Sequence, residues 1–82
     1  MKQTVPGFDR LTVEHDKLGG QPCIRGYRFG VDQLLELFAA GASFDEIRAD
    51  FPFLEPEDTQ QVFAYAAALA QRDFYLLLQK LA

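Results

Sequence analysis

The spacing of apolar residues becomes helical at Val31. From there Val31, Leu34, Leu35 and Phe38 recur every three or four positions, as on the buried face of an amphipathic helix. Gly41 then provides a stop, because glycine accepts the left-handed backbone that ends many helices. The pattern predicts a first helix from Val31 to about Gly41.

Two more helices are predicted further along the chain. Ser43 and Glu46 form a capping box, which starts a short helix over about residues 44–50. Pro56 suits the first position of a third helix, where its missing N–H costs nothing. No breaker follows Pro56. The third element is therefore either one long helix or two pieces that separate near residues 72–73.

The first thirty residues have a different pattern. Residues 11–13 and 23–24 contain branched side chains that favour strands, and Gly19 and Gly20 mark a turn between them. An isolated two-stranded ribbon is only marginally stable in water. This region is predicted to be a small hairpin or arm.

Together these elements predict a mostly α fold, in which a short N-terminal β-hairpin or arm precedes a tri-helical helix-turn-helix core with a long C-terminal helix. A generic three-helix bundle is the alternative. The chain of 82 residues should form one domain. We divide it into a flexible leader (1–8), a β arm (9–30), a helical core (31–70) and a C-terminal helical interaction segment (71–82). The expected core consists of Leu34, Leu35, Phe38, Ile47, Phe51, Val62, Tyr65, Ala66 and Leu69.

Charge is unevenly distributed along the chain. The net charge is −4, with +2 on residues 1–30 and −6 on residues 31–82. An acidic chain does not coat nucleic acid through bulk charge, so phosphate contacts should come from the N-terminal third. The alternative is that its arginines pair with acidic helices of the same chain or of a second subunit. The candidate DNA-binding residues are Arg10, Lys17, Arg25 and Arg28, with Gln60 and Gln61 as base readers on the third helix.

The C-terminal segment has an apolar stripe wider than one short domain can cover. Three places could bury it: the same stripe of a second subunit, the groove of a partner protein, or the chain's own core. We also expect a homodimer, because the basic arm and the acidic helices are complementary surfaces. The candidate partner-binding residues are Phe74, Tyr75, Leu77, Leu78 and Leu81.

Few residues suggest chemistry. Cys23, the single cysteine, lies in an apolar stretch and should be a buried structural thiol, and His15 should be solvated. No nucleophile–base pair and no set of metal ligands stands out. We therefore expect no enzymatic activity, no cofactor or metal and no small-molecule substrate. The unpaired cysteine and the lack of a long apolar run favour a cytoplasmic protein without membrane contact.

One resemblance goes beyond these patterns. Residues 19–28 read Gly-Gly-Gln-Pro-Cys-Ile-Arg-Gly-Tyr-Arg, and shorter matches surround them. Over residues 9–66 the chain resembles the bacterial and archaeal family called domain of unknown function four hundred and thirty-three (DUF433). It departs from the family at Gln21, where Lys is usual, and at Glu55, where Thr usually caps the third helix. The shorter matches are Asp9–Val13, Leu34–Leu35, Ala40–Gly41, Glu46–Ile47 and Phe51–Pro52.

The resemblance also implies a function. Members of this family look like VapB-type antitoxins with a homeodomain-like core, and they are often encoded beside a PIN-like ribonuclease toxin. The resemblance therefore implies an antitoxin that binds and neutralises such a nuclease, with operator DNA as a second expected partner. The alternatives are a stand-alone helix-turn-helix DNA-binding regulator and a protein-interaction module without DNA binding.

Overall fold

The computed structural model describes the backbone of residues 2–81 and the side chains of residues 2–80. In this part of the chain a three-stranded antiparallel sheet, in the order β1-β2-β3, precedes three helices. A short 3-10 turn, Leu18–Gly20, connects the second and third strands. The elements are β1 (Lys2–Val5), β2 (Phe8–Glu14), β3 (Cys23–Ile24), α1 (Val31–Ala39), α2 (Phe44–Asp50) and α3 (Pro56–Leu81).

The N-terminus corrects the predicted fold. The hairpin of β2 and β3 is present, with Leu11 opposite Ile24. The expectation of a flexible leader over residues 1–8 is wrong at Lys2–Val5 and Phe8, which lie in strands. Lys2–Val5 pairs with β2 as an edge strand, with Thr4 opposite Thr12. The side chains of residues 2–4 are exposed. Backbone hydrogen bonds to β2 hold this strand, so it has no hydrophobic signature in the sequence.

The prediction of an arm attached to a self-contained helix-turn-helix core is also wrong. Sheet and helices share one core, since Leu11 and Ile24 from the sheet are fully buried beside Leu34 of α1. Helix α2 has only seven residues, so the helices alone have too little apolar surface to enclose a core. The buried cluster consists of Leu11, Ile24, Phe29, Val31, Leu34, Ile47, Leu54 and Val62.

The helical part of the predicted core is mostly confirmed. Leu34, Ile47 and Val62 are buried, whereas Leu69 is 40% exposed and was wrongly included. Ala66 is only partly buried. The remaining predicted residues pack against the core as partly buried side chains: Leu35, Phe38, Phe51 and Tyr65.

The local signals for helix ends are confirmed. Gly41 follows α1 with a φ of 96°. At α2 the Glu46 N–H donates to Ser43 Oγ at 3.1 Å, and the Ser43 N–H donates to Glu46 Oε1 at 2.9 Å. Helix α3 begins at Pro56 and runs unbroken through residues 72–73, so the two-piece alternative is wrong. Within the described residues, none of the helices combines the length and hydrophobicity needed to span a membrane.

Candidate functional site

A buried carboxylate joins the hairpin to the start of α3. Asp58, in the first turn of α3, is fully buried. Arg25, directly after β3, donates from Nε to Asp58 Oδ1 and from Nη2 to Asp58 Oδ2, both at 2.9 Å. This is the forked geometry in which guanidinium binds carboxylate most strongly. Nη2 of Arg25 also donates to the Phe53 carbonyl at 2.5 Å, so one side chain ties three segments together.

The turn after β3 directs Arg25 towards Asp58. Arg25 has a φ of 42°, in the left-handed region that residues with a side chain seldom adopt, and Gly26 follows with a φ of 79°. The Gly26 N–H donates to Thr12 Oγ1 at 2.8 Å. Lys17 Nζ donates to the Gly26 carbonyl at 2.6 Å and lies 2.6 Å from Glu14 Oε2. These contacts hold the turn in its strained conformation.

A second arginine reaches the same carboxylate from β2. Arg10 Nη1 donates to Glu55 Oε1 at 2.6 Å and to Asp58 Oδ1 at 3.0 Å. Gln61 lies beside this contact: its Oε1 accepts from the Arg10 backbone N–H at 2.9 Å, and its Nε2 donates to Asp9 Oδ1 at 2.5 Å. We call Arg10, Arg25, Glu55 and Asp58 the arginine–aspartate cluster.

The hydrogen bonds around Asp58 keep it ionised. Burial raises the pKa of Asp58, but the hydrogen bonds from Arg25, the Glu55 N–H and Arg10 together outweigh burial and hold its pKa below the ordinary value. Each carboxylate oxygen accepts two hydrogen bonds. A fully engaged carboxylate of low pKa is poorly suited to general acid or base catalysis. The arrangement instead fastens the sheet to α3.

Most of the predicted DNA-binding residues are engaged in contacts within the chain. Arg10 and Arg25 pair with acids of the same chain, which was the alternative considered from the sequence. The complementary charges of the arm and the helices are therefore paired within one chain. The six predicted residues divide into Arg10, Lys17, Arg25 and Gln61, which hydrogen-bond within the chain, and Arg28 and Gln60, which are exposed.

Stacked aromatic rings continue from the cluster. The Tyr27 ring is stacked on Phe53 with centroids 4.0 Å apart, and the Arg25 guanidinium lies 5.4 Å from the centre of the Tyr27 ring. Phe29 meets Phe51 edge to face at 4.4 Å. The turn after β3 is thus packed onto the segment between α2 and α3, and its aromatic residues serve the fold.

The C-terminal part of α3 extends away from this packed head. Residues 71–80, which we call the apolar tail, are all exposed. The predicted alternative in which this segment folds back onto its own core is therefore wrong. The side chain of Leu81, one of the predicted partner-binding residues, lies outside the described residues. The exposed large side chains of the tail are Phe74, Tyr75, Leu76, Leu77 and Leu78.

A shallow apolar groove lies where α3 leaves the head. Its volume is about 290 Å³. Leu69 lies at the tail side of this groove, and Leu76 follows two helical turns later on the same face of α3. Leu69 was predicted to belong to the core, and Leu76 was not among the predicted partner-binding residues. The groove is lined by Gln21, Pro22, Val31, Asp32, Leu35, Tyr65 and Leu69.

The other candidates for chemistry have structural explanations. Cys23 is buried as predicted, and burial raises the pKa of its thiol, which makes it unreactive. His15 is exposed, as predicted. Among residues 2–80 no group of three or more His, Cys, Asp or Glu side chains is placed to hold a metal ion.

Comparison with known proteins identifies the family. Residues 11–66 match the family model described as "Protein of unknown function (DUF433)". The chain is a DUF433 protein. No curated protein and no solved structure matches it. The match covers the second half of β2, strand β3, helices α1 and α2 and the first part of α3, and it ends before the apolar tail of this DUF433 protein.

Two residues that organise this DUF433 head were missed as site residues from the sequence. They are Glu55 and Asp58, which stand at the start of α3, where acidic side chains are common and usually solvated. Their spacing offered one signal, because an acid three residues after the cap can accept from the cap backbone N–H. Asp58 Oδ2 does accept from the Glu55 N–H, at 2.9 Å.

Proposed function

We propose that this DUF433 protein is an antitoxin-type binding protein, without enzymatic activity of its own, whose apolar tail captures a nuclease. The class of nuclease implied by the family resemblance is the PIN-like ribonuclease. The observation that carries the proposal is the long exposed apolar surface of α3 beyond the folded head. Such a surface is costly in water unless another protein covers it.

The size of this surface suits a protein partner. Among residues 56–80, helix α3 exposes seven large apolar side chains, each about half accessible. At roughly 100 Å² each they amount to about 700 Å², close to the ~800 Å² that one partner contributes to a standard protein interface. An amphipathic helix that projects its apolar face into a partner is a common recognition mode.

The groove at the base of the tail adds a second contact. Leu69 and Leu76 form one apolar line that continues from the groove along α3. A partner side chain that fills the groove would bury this line together with Leu35 and Tyr65. A central pocket with an apolar surround is typical of the residues that dominate binding energy.

Charge favours protein binding over operator binding. Arg10 and Arg25 are paired with carboxylates, so their positive charge is locally neutralised. Of the predicted basic contacts, Arg28 is exposed, and the whole chain carries −4. Nucleic-acid affinity depends on how many phosphates a protein can neutralise. We therefore assign operator binding a secondary place behind binding to a nuclease.

Leu76→Asp and Leu69→Asp test the proposal. The proposal requires a PIN-like ribonuclease encoded near this gene; that nuclease is co-expressed with the chain, and growth rescue and inhibition of RNA cleavage are measured. The unaltered chain should rescue growth and inhibit cleavage. Each leucine variant should weaken inhibition at least ~10-fold, because it places a charge in an apolar contact.

Gln60→Asp is the matched control. It adds the same charge to an exposed position of the same helix, in the head and not in the tail, and should inhibit like the unaltered chain. The proposal fails if no such nuclease is encoded nearby or if the chain does not inhibit it. Tight binding to its own promoter DNA without inhibition of the nuclease would favour a stand-alone DNA-binding regulator instead.

A further inference from the structure

Helix α3 carries a second apolar line that the groove does not use. Its members are separated by four, three, four and three residues, the heptad spacing that keeps one line of side chains facing a second helix. It begins after the polar Gln60, and Leu81 continues it in the sequence. We call this line the helix seam; it consists of Phe63, Ala67, Ala70, Phe74 and Leu77, all exposed.

We propose that the helix seam pairs with the same seam of a second copy of this chain, in an antiparallel arrangement about a twofold axis near Arg72. The sizes of the seam residues carry this inference. Ala67 and Ala70 lie on one side of that axis, and Phe74 and Leu77 lie at the matching distances on the other. Antiparallel pairing therefore sets Ala70 against Phe74 and Ala67 against Leu77.

A parallel pair would lack this fit. It would set each alanine against an alanine and Phe74 against Phe74. The preferred distance between two helix axes depends on the side chains between them, so the alanine pairs require a short distance and the Phe74 pair a long one. Two straight helices cannot be close at the alanines and far apart at Phe74 without leaving gaps. In the antiparallel pair every inner layer contains one small and one large residue, so a single spacing serves all of them.

The available area is adequate for a modest dimer. Phe63, Phe74, Leu77 and the neighbouring Leu78 are each about half exposed. With the alanines and flanking atoms, each chain would bury roughly 600 Å², at the lower end for a specific interface. A dimer that dissociates at micromolar concentration is therefore expected. The dimer leaves the line of Leu69 and Leu76 open, but it covers Phe63, Phe74, Leu77 and Leu78. These four belong to the surface that the proposed function offers to a nuclease, so a nuclease that covers the whole tail would compete with the dimer.

Sedimentation equilibrium of the purified full chain, from micromolar to millimolar concentration, tests the pairing. The unaltered chain should show a reversible monomer–dimer equilibrium. Ala70→Glu should raise the dissociation constant at least ~10-fold, since a carboxylate would be buried opposite Phe74. Gln79→Glu, which adds the same charge away from the seam, should leave it unchanged. Leu77→Glu replaces Ala70→Glu if circular dichroism shows that the latter has lost helix.

Disulfide trapping tests the direction. Chains with Ala67→Cys and chains with Leu77→Cys are mixed under mild oxidation. The native Cys23 does not interfere, because it is buried. Antiparallel pairing should give the mixed disulfide in excess, because only that pair comes within bonding distance. A chain that stays monomeric, an Ala70→Glu chain that dimerises normally, or an excess of Ala67→Cys homodimers would overturn the proposal. None of these experiments includes a nuclease, so their failure would not count against nuclease binding.

Discussion

At Asp58, burial and ion pairing act in opposite directions. A buried carboxylate without partners would be neutral, but two guanidinium groups and one backbone N–H reach its two oxygens. The side chains of Arg10 and Arg25 remain partly exposed, so only the aspartate is fully removed from water. Asp58 is thus the residue on which the joint between the sheet and α3 depends.

Replacing Asp58 should be costly. Asp58→Asn keeps the shape but leaves two guanidinium groups without their shared charge, and we expect a loss of about 3 kcal/mol in the free energy of unfolding. Urea denaturation measures this loss at neutral pH. Glu55→Gln is the control, because Glu55 is the exposed partner in the cluster and exposed ion pairs contribute little. Equal losses in both variants would show that burial of Asp58 is not what matters.

The stability of the Asp58→Asn variant should also depend on pH differently from that of the unaltered chain. Because the pKa of Asp58 is lower in the folded chain, its contribution is fully present above the ordinary pKa of about 4. It is lost as the pH falls through the lowered folded value. Asp58→Asn should therefore lose less stability than the unaltered chain between neutral and acid pH. Glu46, whose pKa is lowered by hydrogen bonds from Ser43, accounts for part of the remaining dependence.

The secondary-structure elements were predictable where their signals are local. Three signals act within a few residues, and each marked a helix end correctly: the capping box of Ser43 and Glu46, the proline Pro56 and the glycine Gly41. Partners that lie far apart in the chain were not predictable. β1 is held by β2 through backbone groups common to every residue, and Asp58 meets Arg25 across 33 positions. No pattern within a short window encodes either contact.

Deleting residues 1–5 tests whether strand β1 stabilises the fold. Removing residues 1–5 takes away half-buried Val5, which packs against the core, and the ladder to β2. We expect a loss of about 2 kcal/mol and a fall in Tm of roughly 10 °C, measured by thermal unfolding. Gln3→Ser keeps the strand and changes only an exposed side chain, so its Tm should be unchanged. An unchanged Tm after the deletion would show that residues 1–5 do not stabilise the fold, as the prediction of a flexible leader requires.

At the scale of the whole molecule, the head and the tail differ in how they use apolar surface. The head buries its apolar residues in a core that sheet and helices share, and Val62 is its last fully buried residue on α3. Beyond it Tyr65 and Ala66 are half-buried, and residues 67–80 are all exposed. The family match also stops within this transition. The packed head therefore does not use the tail, which is the surface that we propose for association.

A chain truncated after Gln71 should separate these two roles. Because residues 71–80 are all exposed, the truncated head should unfold within a few degrees of the full chain's Tm, yet be monomeric and unable to inhibit the nuclease. Thermal unfolding, sedimentation and the cleavage assay measure the three properties. Truncation after Gln61 is the control: it removes Val62 from the core, and that chain should be unfolded. If the chain ending at Gln71 also unfolds, the tail belongs to the core. That result would contradict both the pairing of the tail with a second copy and its contact with a nuclease.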